Sequence, residues 1–398
     1  MTEEMRTSTR DLGRLRDRMA SWLAGRTGGP VDVSELSRPA ANGMSSETVF
    51  FTASWPGRRH ARCVARLAPA AEAVPVFPRY DLGAQFEVMR LARDRAGIPA
   101  PRALWFEPDP APLGTPFFVM EREDGDVPPD VMPYTFEGWL LDAPPGRRRV
   151  LQDATVRLLA ALHDAPFTRE DLSVLSPTGV RPSRADERPS YGDERALGGG
   201  ERPSYGGEGF AGDEGGGGVR GGGLRAHVDA QRAYYAWAHG DHPIPLLERA
   251  FGWLEAHWPD DPGPDVLTWG DARIGNVMYR DFRPVAVLDW EMAAVGPREL
   301  DLAWMIFLHR FFQDLTEAIG LPGLPDFMRG DDVCRTYQAL TGHTPANMDF
   351  HLTYAALRHG VIMARVWRRR VHFGEQPMPD DPDDLVMHRS TLERMLEA

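Results

Sequence analysis

Residues 268–304, TWGDARIGNVMYRDFRPVAVLDWEMAAVGPRELDLAW, constrain this chain more than any other stretch, because a β-hairpin pattern stands there between long helical ones. A hairpin returns the chain to where it started. Asn276, which opens NVMYRDFRPVAVLDW, and Asp289, near its end, are therefore brought to one end of it. Asp271 lies in the loop leading in, five residues before Asn276. A carboxylate able to take the proton of a hydroxyl, beside an Asn and an Asp offering hard oxygen ligands to Mg²⁺, is an arrangement of phosphoryl-transfer chemistry. Turns or caps would explain each residue alone, but the joint spacing is much harder to obtain by accident.

The flanking pattern divides the chain. An amphipathic helix is predicted around 12–23. From Ser37 to Glu123 short β-rich runs alternate with turn signals: VFFTASW and RCVARLA flank PGRRH as a hairpin, a helix spans about 81–96, and ALWFE and TPFFVMERE make two further strands. From Arg147 the pattern turns helical, with Leu151, Ala154, Leu158, Ala161 and Leu162 near one face. The expected organisation is an N-terminal helical extension over 1–35, a β-rich lobe over 36–123 and a helical lobe over 124–398. Within the last, residues 182–223 repeat ERPSYG and run into EGGGGVRGGGL, too poor in apolar side chains to offset the entropy of ordering, and read as a disordered insertion.

With 398 residues the chain can form two lobes around a cleft without covalent staples. Its two cysteines, Cys63 and Cys334, lie far apart, which suits a reducing compartment. The amino terminus is charged and no stretch approaches the roughly 18 apolar residues of a spanning helix, so a cytoplasmic protein without membrane insertion is expected. A net charge of -13 argues against a general nucleic-acid binder. No Lys occurs anywhere. Any cation that meets a phosphate must be Arg, a planar fork that cannot serve as a base.

Trp269-Gly270-Asp271, with Asn276 and Asp289 downstream, resembles the aminoglycoside phosphotransferase and choline-kinase-like family, whose pattern is His-Gly-Asp, four residues, Asn, and a later metal-binding Asp. Here Trp replaces the His. The resemblance runs from about Leu36 to Trp304 and implies an α+β, two-lobed, protein-kinase-like fold with a β-rich N-lobe and a helical C-lobe. It implies Asp271 as the catalytic base, Asn276 and Asp289 as Mg²⁺ ligands, and Asp301 as an anchor of the catalytic loop. A literal His239-Gly240-Asp241 also occurs, but Leu246 stands where the Asn should be and the surroundings read as a turn between helices.

In the N-lobe, ANGMSSETVFF resembles the family's nucleotide-covering loop, with Asn42, Gly43, Ser45 and Ser46 facing phosphates, although an ordinary hairpin turn would look the same. Arg66 takes the place of the phosphate-binding strand Lys. Its helix partner is Gln85 or Glu87. The run FFVMERE resembles the linker whose backbone meets adenine, around Met120, Glu121 and Arg122; a buried edge strand would explain its apolar residues equally well. His163 matches a helix-end His of the family, with a packing role expected. The function so implied is transfer of the γ-phosphoryl group of Mg-ATP to a hydroxyl of a small molecule. A nucleotide-binding regulator without turnover and a hydrolase that uses Asp271 to activate water are the other classes the residues allow.

Overall fold

A computed structural model describes residues 10–39, 46–69, 74–175 and 222–397. The chain begins with α1 (Leu12–Thr27), whose free N–H groups are capped by the Asp11 carboxylate and which ends on Gly28 at φ 74°. Next come β1 (Asp32–Val33), β2 (Glu47–Trp55), β3 (Arg58–Leu67), α2 (Leu82–Ala96), β4 (Ala103–Glu107) and β5 (Phe117–Glu121). The five strands form one antiparallel sheet in the order β1-β2-β3-β5-β4. Side chains alternate across it. Cys63, Ala65 and Leu67 join Val49, Phe51, Phe117 and Val119 under Leu15, Met19 and Leu23 of α1. Arg66, one step out of phase and opposite Thr48 in register, is delivered to the other face.

The second lobe continues with α3 (Trp139–Asp142), α4 (Pro145–Asp164), α5 (Arg169–Leu172), α6 (Gly222–His239) and α7 (Pro245–Ala256). Then come β6 (Asp265–Thr268), β7 (Val277–Arg280), β8 (Arg283–Val287), β9 (Ala294–Pro297), α8 (Glu299–Ala318), α9 (Gly330–Thr341), α10 (Met348–His372) and α11 (Arg389–Glu397). The segment read as a disordered insertion lies outside the described residues as far as 221. Its last two residues, Gly222 and Gly223, instead open α6, and the Gly223 N–H donates to Asp265 at 3.0 Å. Among the described residues no helix is long and apolar enough to cross a membrane.

The predicted hairpin is present as β7 and β8, closed by Asp281 and Phe282 at φ 52° and 61°. Two successive positive φ values make the tight turn whose twist suits paired strands. Its neighbours hold it in place. Tyr279 and Asp126 exchange backbone hydrogen bonds at 2.8 Å, and the Val287 N–H donates to Pro99 O at 2.8 Å. The hairpin is thus fastened to both the interlobe linker and the end of the α2 loop. A second ribbon, β6 with β9, brings Thr268 opposite Ala294 and so sets the loop that carries Asp271 beside the start of α8.

Candidate active site

The loop after β6 is clamped from below. Asp301, fully buried in the first turn of α8, accepts the N–H of Trp269 at 2.7 Å, the N–H of Gly270 at 2.8 Å and His163 Nε2–H at 3.0 Å. With that nitrogen donating, His163 Nδ1 accepts from the Tyr337 hydroxyl at 2.8 Å. Gly270 is required by shape as well: its φ is +86° and a Cβ there would lie 1.9 Å from Met292 O. Asp301→Ala would strand three donors in the core, a loss of about 3–5 kcal/mol. Urea unfolding of the purified variant measures this; a midpoint equal to that of the wild type would refute the anchoring role.

Trp269, which replaces the family His, is buried, and its indole N–H is shared between Leu288 O at 2.9 Å and Asp289 O at 3.1 Å. It therefore fastens the loop of Asp271 to the segment that follows β8. Asp289 itself adopts φ 58°, a conformation rare outside glycine that turns its carboxylate out of the strand direction.

Asp271 accepts the Trp304 indole N–H on Oδ1 at 2.7 Å, and on Oδ2 it accepts Asn276 Nδ2 at 2.6 Å and Arg273 Nε at 3.2 Å. The Asn276 amide nitrogen is spent on Asp271, so its carbonyl oxygen is the atom left for a cation. Arg273 also forms an ion pair with Asp130. Burial works against this guanidinium, but Asp271 and Asp130 more than offset it and its pKa is raised. Beside the pair lies a small recess, with room for about one water, lined by Asp130, Tyr134, Ile274, Met305, His309 and Phe312 among others.

Across the cleft, Arg66 donates to Asp289 Oδ1 at 3.3 Å and to Thr48 Oγ1 at 3.2 Å. This corrects the helix partner expected from sequence. Glu87 turns to Arg90 one helical turn on, at 2.9 Å, and Gln85 is buried in α2, with no hydrogen bond to Arg66 among the described residues. Burial pushes the Asp289 carboxyl up, Arg66 and Arg273 pull it down, Asp271 adds to the rise, and the net direction is upward.

The other N-lobe candidates fare differently. Asn42, Gly43 and Ser45 lie outside the described residues. Ser46 is buried, with its Oγ unpartnered. Met120 and Glu121 belong to β5, and the N–H groups of Glu121 and Arg122 are given to Arg102 O and Arg62 O, both at 2.9 Å. Those two N–H groups are therefore not adenine donors. The Glu121 side chain pairs with Arg58, and Arg122 lies over the Phe50 ring. His239-Gly240-Asp241 closes α6 in an exposed turn, as expected of a decoy.

Sequence reasoning missed Trp304, Asp130 and Arg358, and did not single out Arg273. Trp304 was visible only as the end of GPRELDLAW, three residues after Asp301 and so on the same face of α8. Asp130 is 143 residues from Arg273, and no local pattern connects them.

A β-rich lobe and a helical lobe flanking this loop define the two-lobed α+β fold of protein-kinase-like phosphotransferases. The phosphotransferase enzyme family (APH) matches residues 37–339, and the chain belongs to it. Among solved structures it resembles a candidate aminoglycoside phosphotransferase from Ralstonia eutropha, at 18% identity, TM-score 0.58 and 96% coverage of both chains. It also resembles a thermostable mutant of aminoglycoside phosphotransferase APH(4)-Ia in ternary complex with ADP and hygromycin B, at 15% identity and TM-score 0.51, covering 95% of this chain and 97% of that one. Curated relatives include human acyl-CoA dehydrogenase family member 11, 26% identical over 60% of this chain and 24% of the relative. Another is the probable acyl-CoA dehydrogenase IBR3 of Arabidopsis thaliana, 22% identical over 86% of this chain and 37% of the relative. The chain thus spans about a quarter to somewhat over a third of the length of these relatives.

Proposed function

We propose that this chain moves the γ-phosphoryl group of Mg-ATP to a hydroxyl of a small molecule. The observation that carries the reading is the convergence of Asp271, Asn276 and Asp289 at one end of the hairpin, with Arg66 reaching them from the opposite lobe. A hard cation fits this donor set: Asp289 supplies a carboxylate, Asn276 supplies a carbonyl oxygen, and further positions fall to phosphate and water. Bound there, Mg²⁺ would neutralise charge on the phosphates of the nucleotide.

Asp271 is the base. Its carboxylate takes the hydroxyl proton as the new O–P bond forms, while the bond from the γ-phosphorus to the bridging oxygen breaks and ADP leaves. Arg66 exchanges Asp289 for phosphate oxygens, which a guanidinium meets in bidentate fashion. The dehydrogenase activity in the relatives' names is not assigned to this chain, which matches only part of their length.

The test is ADP release with Mg-ATP across hydroxylated metabolites and antibiotics. Release that depends on both metal and acceptor supports the reading, whereas equal ADP and free phosphate without acceptor would make the chain a hydrolase. Arg66→Ala should raise the KM for ATP by about tenfold, the worth of a charged hydrogen bond. Glu87→Ala, which removes only a partly exposed pair with Arg90, should stay within about twofold. Equal losses in the two variants would restore Glu87 as the partner.

A further inference from the structure

Helix α8 touches the loop of Asp271 twice. Asp301 holds its backbone, and one helical turn further on Trp304 reaches the Asp271 side chain itself. The carboxylate of Asp271 has room for about four hydrogen bonds in its plane, two on each oxygen. Asn276 and Arg273 fill Oδ2, while Trp304 takes one place on Oδ1. The position left for an incoming proton is therefore on the oxygen that Trp304 holds.

The indole is in turn held by an unusual group. Arg358 of α10 is 2% exposed, its guanidinium carbon lies 4.4 Å from the centre of the Trp304 ring, and Nη2 donates to Gly270 O at 3.1 Å. Its Nε has no hydrogen-bond partner among the described residues. Burial pulls this guanidinium below the usual range, with Tyr354, Asp301 and Asp271 acting in the other direction. A buried cation held by a carbonyl, the Trp304 ring face and, farther off at 5.9 Å, the Tyr354 ring is costly to keep. It fixes the Trp304 ring plane and the Gly270 carbonyl, the two features that set where Asp271 points.

We infer that Trp304 is a positioning residue for phosphoryl transfer, its indole N–H fixing the rotamer of Asp271 so that Oδ1 faces the acceptor hydroxyl, with Arg358 bracing the ring. This rests on the kinase reading above. Two substitutions separate the hydrogen bond from the packing. Trp304→Phe keeps aromatic bulk against Arg358 but has no N–H. Trp304→His loses the six-membered ring, yet its Nε2 occupies the place of the indole nitrogen and restores a donor.

Acceptor-dependent ADP release, Mg-ATP affinity and thermal melting are measured for both variants and the wild type. For Trp304→Phe, kcat should fall about 10- to 100-fold, as for loss of one hydrogen bond to a charged group, while the KM and affinity for ATP move less than about twofold. Trp304→His should retain a higher kcat than Trp304→Phe even if it melts at a lower temperature. The opposite order, with Phe more active than His, would assign Trp304 to packing and overturn the inference. So would a Trp304→Phe enzyme with unchanged kcat. A wild-type protein that releases no ADP with any acceptor would instead remove the kinase reading itself.

Discussion

Asp271→Asn should lower turnover by about 10²–10⁴-fold, the usual contribution of a positioned base. The substitution keeps size and leaves Oδ1 able to accept the Trp304 N–H, while the new amide nitrogen faces the donors Asn276 Nδ2 and Arg273 Nε, which must turn away; Mg-ATP affinity should change far less than turnover. Asp241→Asn supplies the contrast. Asp241 lies in the exposed turn after α6 that spells the family triplet without its consequences, and its substitution should change turnover and affinity by less than about twofold. Side-by-side ADP release and nucleotide affinity decide the matter. If Asp241→Asn abolished turnover while Asp271→Asn did not, the site would be elsewhere.

Asp289→Ala should be comparably severe for a different reason. Without this carboxylate the phosphate charge in the cleft is left uncompensated, a loss of several kcal/mol and roughly 10³-fold in kcat/KM. The defect should show as a much weaker dependence on Mg²⁺, unlike that of Asp271→Asn. Thermal melting measured alongside separates loss of the site from loss of the fold, and an unchanged Mg²⁺ dependence would contradict the metal-ligand role.

The parts of this site legible in sequence are those whose geometry is local. Five residues separate Asp271 from Asn276, and a two-residue turn returns the chain to Asp289, so spacing alone carried the arrangement. The halves of the fold were legible likewise, because period-2 and period-3.6 patterns are written into neighbouring residues. What stayed hidden depends on contacts that no window contains. Arg66 meets Asp289 across 223 positions, and Trp304 meets Asp271 across 33. The expected pairing of Arg66 with Gln85 or Glu87 of α2 is replaced by one with Asp289 across the cleft, while Glu87 pairs with Arg90 one turn on. Trp269 was legible as a departure from the family but not as a solution. Only the fold shows its indole taking up the Leu288 and Asp289 carbonyls.

The central claim is that Asp271, Asn276 and Asp289 form one centre that transfers phosphate to a hydroxyl. Phosphorus NMR of Mg-ATP incubated with the enzyme and a panel of hydroxylated acceptors follows every phosphate at once. A phosphomonoester signal should appear in step with ADP, only with metal and acceptor present, and vanish with Asp271→Asn. ATP that stays intact with every acceptor, or that yields inorganic phosphate alone, would contradict it.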